Sequence, residues 1–353
     1  MICPSAKSVD ERRRIRYYGR QKRGMNLKKK TVLGILIAAV AVLALLIVGL
    51  PLFSRLAYGR SQAATLFAWQ LHKEAYTTEE AFESYLAEKR EENALAYLLP
   101  PEVEFTVPVK PLARGGQPGY ILNEGASRVI FYFPGGSYID QPRAVHWRFL
   151  NDLAEQAGVC VVVPIYAKLP DADAETSYEK LGEFYRSCLE EDGPWEEIVF
   201  MGDSAGGGMA LSYAMQLRDA GMDGPDRLVL ICPWVDVTLT NPAIPDYEKR
   251  DRTLDAEQLR HLGTLWAGDL SPDDPVVSPL YGSFSGLGKT TLITTTDELL
   301  YPDIRALYEA MRAQGADVDL LEQPGMFHVW PLYVGYNVPE TEATFAEIVS
   351  LLR

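Results

Sequence analysis

From about residue 103 to the C-terminus the chain alternates short apolar runs with amphipathic stretches of helical period. The segments 128–133, 159–166, 197–201, 227–232, 291–296 and 317–322 predict strands, and the run 197–201 is rich in β-branched and aromatic residues. Between them, 143–157 places Trp147, Leu150 and Leu153 on one face and predicts a helix, as do 177–191, 304–314 and 340–352. Strands alternating with helices predict an α/β fold with a mostly parallel central sheet flanked by helices. Residues 103–109 and 119–122 look like an opening strand pair, and the long irregular region 235–288 reads as a lid-like insertion. Ahead of the strands, 61–100 carries two helical patterns, 63–71 and 79–98, that end at Pro100-Pro101. They read as a lid over a site or as packing helices beside a membrane.

A different pattern precedes them. Residues 31–53, TVLGILIAAVAVLALLIVGLPLF, contain no charge, and about 20 such residues cross a hydrocarbon core of roughly 30 Å. A cleaved signal has an apolar run of about 7–15 residues ending at a small-residue site, so 31–53 is expected to be an uncleaved single-pass anchor in contact with the lipid bilayer. Lys28, Lys29 and Lys30 immediately before it put the N-terminus in the cytoplasm and the residues from about 54 onward outside. Met25 is an alternative start, and the topology argument holds from either methionine. The expected organisation is a basic cytoplasmic segment 1–30, the anchor 31–53, a helical linker or lid 54–102 and a catalytic domain 103–353.

Charge follows the same division. Residues 1–30 hold eleven Lys and Arg against Asp10 and Glu11, net +9; with −14 for all 353 residues, the remainder carries −23. So acidic a body argues against a nucleic-acid partner. Cys3, Cys160, Cys188 and Cys232 stand at no metal-ligand spacing, so neither a metal nor an essential disulfide is expected, and Cys160 and Cys232 fall in apolar runs as small hydrophobes.

The candidate chemistry starts where the run 197–201 enters Gly202-Asp203-Ser204-Ala205-Gly206, followed directly by a small-residue helical pattern. A serine at a sharp strand-to-helix turn is held in a strained backbone, and glycines at 202 and 206 let strand and helix approach. The Ser204 hydroxyl then stands clear of the sheet, with the Ala205 amide behind it to receive developing negative charge. Such a nucleophile needs a base, and the base needs an acid. Of the four histidines, His72 lies in the N-terminal helical region, His146 in a helical pattern before the serine and His261 amid charged residues in an expected surface helix, whereas His328 follows the run 317–322 after the serine. Asp297 ends the run 291–296 and is the expected acid, with Glu298 and Asp303 as competitors; Ser204, Asp297 and His328 then each follow a strand in the order this architecture uses. Paired Gly135 and Gly136, after the strand 128–133, supply further oxyanion amides. No cofactor is required.

Several segments together resemble the hormone-sensitive-lipase-like branch of the α/β-hydrolases: Gly202 to Gly207, Pro233-Trp234-Val235-Asp236, Asp274-Pro275, Ser278-Pro279-Leu280, Ser285-Gly286-Leu287, Asp297-Glu298-Leu299 with Asp303, and Gly325-Met326-Phe327-His328. The resemblance covers about 103–353 and implies a serine ester hydrolase with Ser204 as nucleophile, Asp297 as acid, His328 as base and the amides of Gly135, Gly136 and Ala205 as oxyanion hole. One departure is informative. That branch's loop usually reads His-Gly-Gly-Gly, whereas here Pro134 replaces the histidine and Ser137 the third glycine, which narrows the loop and counts against bulky esters. A similar Pro-Gly-Gly loop occurs in the membrane-anchored steryl acetyl hydrolase type, suggesting acetyl esters of lipophilic alcohols, so the expected partner is an apolar small-molecule ester. Ser137, Tyr138 and Trp234 are the expected substrate contacts, and Tyr247, Leu259 and Trp266 either line the acyl pocket or pack the insertion. The same triad suits an amide or peptide hydrolase, and a binding module on this fold is the remaining alternative.

Overall fold

The computed structural model describes residues 7–353 apart from 74 and 77, with only the backbone described at several positions between 7 and 27; Cys3 lies outside the described residues. The chain divides into two units, Met1–Ala57 and Tyr58–Arg353. The first is helical: α1 (Lys7–Ala44), a π-helical turn Leu45–Gly49, and α2 (Leu50–Tyr58), which runs one residue beyond it. Lys28–Tyr58 forms one long apolar stretch, unburied in its most apolar part, with the length of a membrane anchor or signal sequence.

In the second unit α3 (Gln62–Ala68) and α4 (Glu79–Asn93) precede the strands. The chain then runs β1 (Val109–Arg114), β2 (Gln117–Leu122), β3 (Arg128–Phe133), α5 (Ala144–Ala157), β4 (Cys160–Pro164), α6 (Ala174–Glu191), β5 (Glu197–Asp203), α7 (Ala205–Asp219) and β6 (Arg227–Ile231). After β6 come α8 (Ile244–Glu248), α9 (Ala256–Ala267), β7 (Lys289–Thr295), α10 (Tyr301–Ala313), β8 (Val318–Gln323) and α11 (Pro339–Leu351). One eight-stranded sheet has the order β1-β2-β4-β3-β5-β6-β7-β8. It is parallel from β4 through β8, with β1 and β2 antiparallel at one edge.

Because successive side chains point to opposite faces, a strand covered on both sides reads as an unbroken apolar run. Ile130 and Tyr132 of β3 join Trp147, Phe149 and Phe345 of α5 and α11 on one face, while Phe131 and Phe133 join Phe184, Met209 and Leu307 of α6, α7 and α10 on the other. The sheet's carboxyl edge, where Asp203 ends β5 and Thr295 ends β7, is left for loops.

Two expectations are corrected. Of residues 103–109 only Val109 enters a strand, as the first residue of β1: the Thr106 and Val107 amides donate instead to Asn151 Oδ1 at 2.8 and 3.3 Å. The opening pair is β1 with β2, joined by Gly115 and Gly116 at φ +54° and +75°, the positive values a tight hairpin turn requires. Nor is 235–288 irregular throughout, since it contains α8 and α9, the latter capped by Asp255 accepting from the Glu257 and Gln258 amides.

Candidate active site

β5 delivers Ser204 to the carboxyl edge of the sheet at φ 51°, ψ −125°, a conformation a non-glycine residue holds only at a cost of about 1–3 kcal/mol. The flanking glycines explain how the turn closes. A Cβ on Gly202 would lie 2.3 Å from the Gly206 carbonyl oxygen, and one on Gly206 would lie 1.9 Å from that of Phe133. The expected steric role of both glycines is thus met, and Ser204 heads α7 with its hydroxyl at the rim.

His328 sits in the turn after β8, with its Nε2 2.9 Å from Ser204 Oγ. Its Nδ1 is 2.6 Å from Glu298 Oε2, and both side chains are buried. The carboxylate against the imidazole is therefore that of Glu298, where Asp297 was expected. The reason lies in the turn after β7. The Leu299 amide donates to Asp251 Oδ2 at 2.7 Å and turns the chain so that residue 298 faces the end of β8. Asp297, half-buried, comes under the charges of Arg60 and Arg250 instead. Glu298 Oε1 accepts from Thr294 Oγ1 at 2.7 Å and from the Thr295 amide at 3.2 Å, which fixes the carboxylate plane. Asp303, the other competitor, is at the start of α10 and accepts from Asn241 Nδ2 at 2.9 Å; burial pushes its carboxyl up to about 7. Burial disfavours charge on His328, but the hydrogen bond and charge of Glu298 outweigh it and hold the imidazole above its ordinary value.

Among the described residues, the Cys232 thiol, Glu298 and His328 bring ligand atoms within 4.8 Å of one another. The 2.6 Å carboxylate–imidazole contact is a charge-assisted hydrogen bond that already engages Glu298 and His328 with each other. Cys232 is more than the small hydrophobe expected, because its Sγ accepts from the Val329 amide at 3.4 Å, next to His328.

The loop after β3 is also corrected in one donor. The Gly135 amide donates to Asp203 Oδ1 at 2.9 Å and is not available to an oxyanion. Asp203 also accepts from Tyr132 Oη at 2.6 Å and lies 3.4 Å from His146 Nε2. Burial raises the Asp203 carboxyl, but His146 and these hydrogen bonds leave it below its ordinary value. His146 Nδ1 accepts from the Arg143 amide at 3.0 Å, so Nε2 carries the proton and points at Asp203. An imidazole from α5 thus steadies a loop that has Pro134 where a histidine was expected. Sequence reading missed His146, because nothing in a helical pattern marks which side chain reaches a neighbouring loop. The amides of Gly136 and Ala205 have no acceptor among the described residues, and Gly136 is at φ +128°.

These groups open onto a cleft of about 220 Å³ lined by Ser204, His328, Ser137, His72, Arg143 and Leu259, among others. Ser137 and Leu259 are placed in its wall. Tyr138 and Trp234 are not, since neither lines the cleft: Tyr138 stacks 4.0 Å from Trp266 and 5.4 Å from Trp234, and all three are buried behind the loop. Tyr247 stacks on Tyr301, 5.2 Å away. These rings pack the insertion, the second of the two roles considered. Leu71 and Tyr85 from the N-terminal helical region, and Thr253 to Asp255 ahead of α9, complete the walls.

Residues 130–332 match the α/β-hydrolase fold family. The chain is 32% identical over 206 residues to an acetyl-hydrolase of Streptomyces hygroscopicus, covering 58% of this chain and 69% of that protein. It is 26% identical to an esterase of Acinetobacter venetianus over 69% of this chain and 81% of the relative. Among solved structures, an esterase from the bacterial hormone-sensitive lipase family superposes with TM-score 0.68 at 25% identity, covering 83% of this chain and 96% of its own.

Proposed function

The chain belongs to the α/β-hydrolase fold family, in the hormone-sensitive-lipase-like branch, and is a serine hydrolase of carboxylic esters; on that premise we propose that Ser204, His328 and Glu298 carry the reaction on short-acyl esters. The observation that supports this most is the continuous chain from Glu298 through His328 to Ser204, with links of 2.6 and 2.9 Å, at the mouth of one cleft. His328 Nε2 takes the Ser204 proton as Oγ attacks the ester carbonyl. Glu298 holds the proton on Nδ1 and stabilises the imidazolium, and the Gly136 amide of the loop after β3 and the Ala205 amide at the head of α7 receive the oxyanion. His328 then protonates the departing alcohol, and water, deprotonated by the same imidazole, releases the acid from Ser204.

A cleft of about 220 Å³ is smaller than the roughly 300–1,000 Å³ of pockets for drug-sized ligands, which favours a short acyl group. The relative described as an acetyl-hydrolase supports the same size. The apolar helix 31–53 is proposed as a bilayer anchor, with the N-terminus cytoplasmic and the hydrolase outside, which keeps the enzyme near lipophilic alcohols carrying such acyl groups. The test uses the full chain in detergent micelles with p-nitrophenyl acetate, butyrate and octanoate. Ser204→Ala is expected to lower kcat by about 10⁴ or more and to abolish labelling by a fluorophosphonate, and kcat/KM of the unaltered protein to fall beyond butyrate. Wild-type turnover by folded Ser204→Ala protein refutes the assignment.

A further inference from the structure

The residues that follow the apolar helix hold the turn that carries His328. Arg60 is 5% exposed, yet among the described residues no carboxylate lies within ion-pairing distance of its guanidinium. Nη1 instead donates to the Gly325 carbonyl at 2.6 Å and Nε to Thr65 Oγ1 at 3.2 Å, while the guanidinium carbon stands 4.5 Å from the centre of the Tyr58 ring. Burial lowers the guanidinium's affinity for its proton, and Asp297 acts the other way. A buried arginine spent on one carbonyl of a catalytic turn is costly to maintain unless that carbonyl must be fixed.

The surrounding contacts converge on the same few residues. From the other side, the end of β7 holds the turn through the Gly325 amide on Thr296 Oγ1 at 3.0 Å and the Met326 amide on Thr295 Oγ1 at 2.8 Å. Gly325 is at φ +71°, and a Cβ there would lie 1.7 Å from the Tyr58 carbonyl oxygen, so the two backbones touch. The Phe67 ring of α3 stacks on Phe327 at 5.1 Å, and Ser61, the cap of α3, donates through Oγ to Glu340 Oε2 at 2.8 Å. Immediately beyond His328, Val329 is at φ 50°, and a β-branched residue stays there only where its surroundings over-determine the backbone.

We propose that residues 58–68 form a strap that aims His328 at Ser204, with Arg60 as its positioning residue. The strap presses on both sides of the histidine's approach: Arg60 grips the carbonyl three residues before it and Phe67 backs the residue immediately before it. The segment that joins the apolar helix to the hydrolase domain is, on this view, part of the catalytic apparatus rather than a passive stalk. The inference rests on the reading of His328 as the base for Ser204.

The test compares Arg60→Met and Arg60→Lys in the full chain in detergent micelles, with Ser204→Ala alongside and p-nitrophenyl acetate as substrate. Misplacing a catalytic group by an ångström costs up to about 10²-fold, so Arg60→Met is expected to lower kcat by about 30-fold while KM moves less than about threefold. Arg60→Lys, which still donates to the Gly325 carbonyl, is expected to recover at least about a third of wild-type kcat. A kcat for Arg60→Met within about twofold of wild type, or no recovery by Arg60→Lys, overturns the strap. If Arg60→Met does not accumulate as folded protein, Phe67→Leu carries the test: an apolar side chain remains but the ring contact is lost, so a fall in kcat of about fivefold or more supports the strap and an unchanged kcat overturns it. Activity persisting in Ser204→Ala defeats the triad instead, which separates the two failures.

Discussion

Replacing Glu298 by Gln removes one charge and almost no volume, and the surrounding hydrogen bonds decide how the new side chain sits. The Thr294 hydroxyl and the Thr295 amide both donate to Oε1, at 2.7 and 3.2 Å. In the variant they draw the carboxamide oxygen to that position, because placing the NH₂ there would set donor against donor. The NH₂ then occupies the place of Oε2, 2.6 Å from His328 Nδ1. Nδ1 must become an acceptor, so the ring proton moves to Nε2 and faces Ser204 Oγ, which can no longer surrender its own proton. Where an asparagine forces this wrong tautomer in a serine protease, kcat falls about 10⁴-fold, equivalent to about 5.5 kcal/mol of transition-state stabilisation. Glu298→Gln is expected to lose about 10³–10⁴ in kcat with KM little changed, while Asp297→Asn, whose carboxylate does not reach the imidazole, loses less than about tenfold. Steady-state hydrolysis of p-nitrophenyl acetate near pH 8 measures both, with thermal midpoints to show that each variant is folded. The opposite ranking, with Asp297→Asn the more damaging, would refute Glu298 as the acid and the tautomer argument with it.

Two further outcomes rest on titrations in the same unit. His328 is held above its ordinary value of 6.5, and a base must be unprotonated, so kcat/KM is expected to fall with acid through an inflection above pH 6.5; an inflection below 6.5 in a pH–rate profile contradicts the coupling to Glu298. Lys168, buried on Tyr166 with its Nζ donating to the Tyr166 carbonyl at 2.8 Å, is lowered by burial from 10.5 to about 7. Between those values the unfolded chain binds the additional proton, so the lysine penalises the fold most at pH 7 and below, and the penalty fades as pH rises to 10.5. Lys168→Met is expected to gain up to about 5 kcal/mol at pH 7, less the lost hydrogen bond and ring contact, with an advantage that shrinks toward pH 10; thermal midpoints across that range measure it, and a constant or growing advantage is incompatible with a depressed lysine.

What was legible in the sequence divides along a physical line. The strands β3 to β7 and the helices α5, α6, α7 and α10 follow from apolar period, because a sheet covered on both faces leaves no other place for those runs, whereas α8 and α9 inside 235–288 do not. Ser204 follows from backbone necessity: only glycine fits at 202 and 206 once strand and helix close on each other. His328 follows from chain order combined with the position of β8. Even the corrected hairpin had a local signal, since two successive glycines are what a turn with both residues at positive φ demands. Asp297 and Glu298 differ in kind, because adjacent carboxylates in a turn face opposite ways and the choice is made elsewhere. Asp251, 48 positions away, accepts the Leu299 amide and points Glu298 at the histidine, while Arg60 and Arg250 act on Asp297. The same holds for the Gly135 amide, consumed by an Asp203 carboxylate that His146 reaches from a helix, and for Tyr138 and Trp234, whose aromatic character fits a pocket wall or a buried stack equally well until Trp266 comes to lie against them. Each of these directions is fixed by a partner distant in sequence, so the side chains that tune this site change roles when the tertiary contact is removed, even though the motif that carries them is intact.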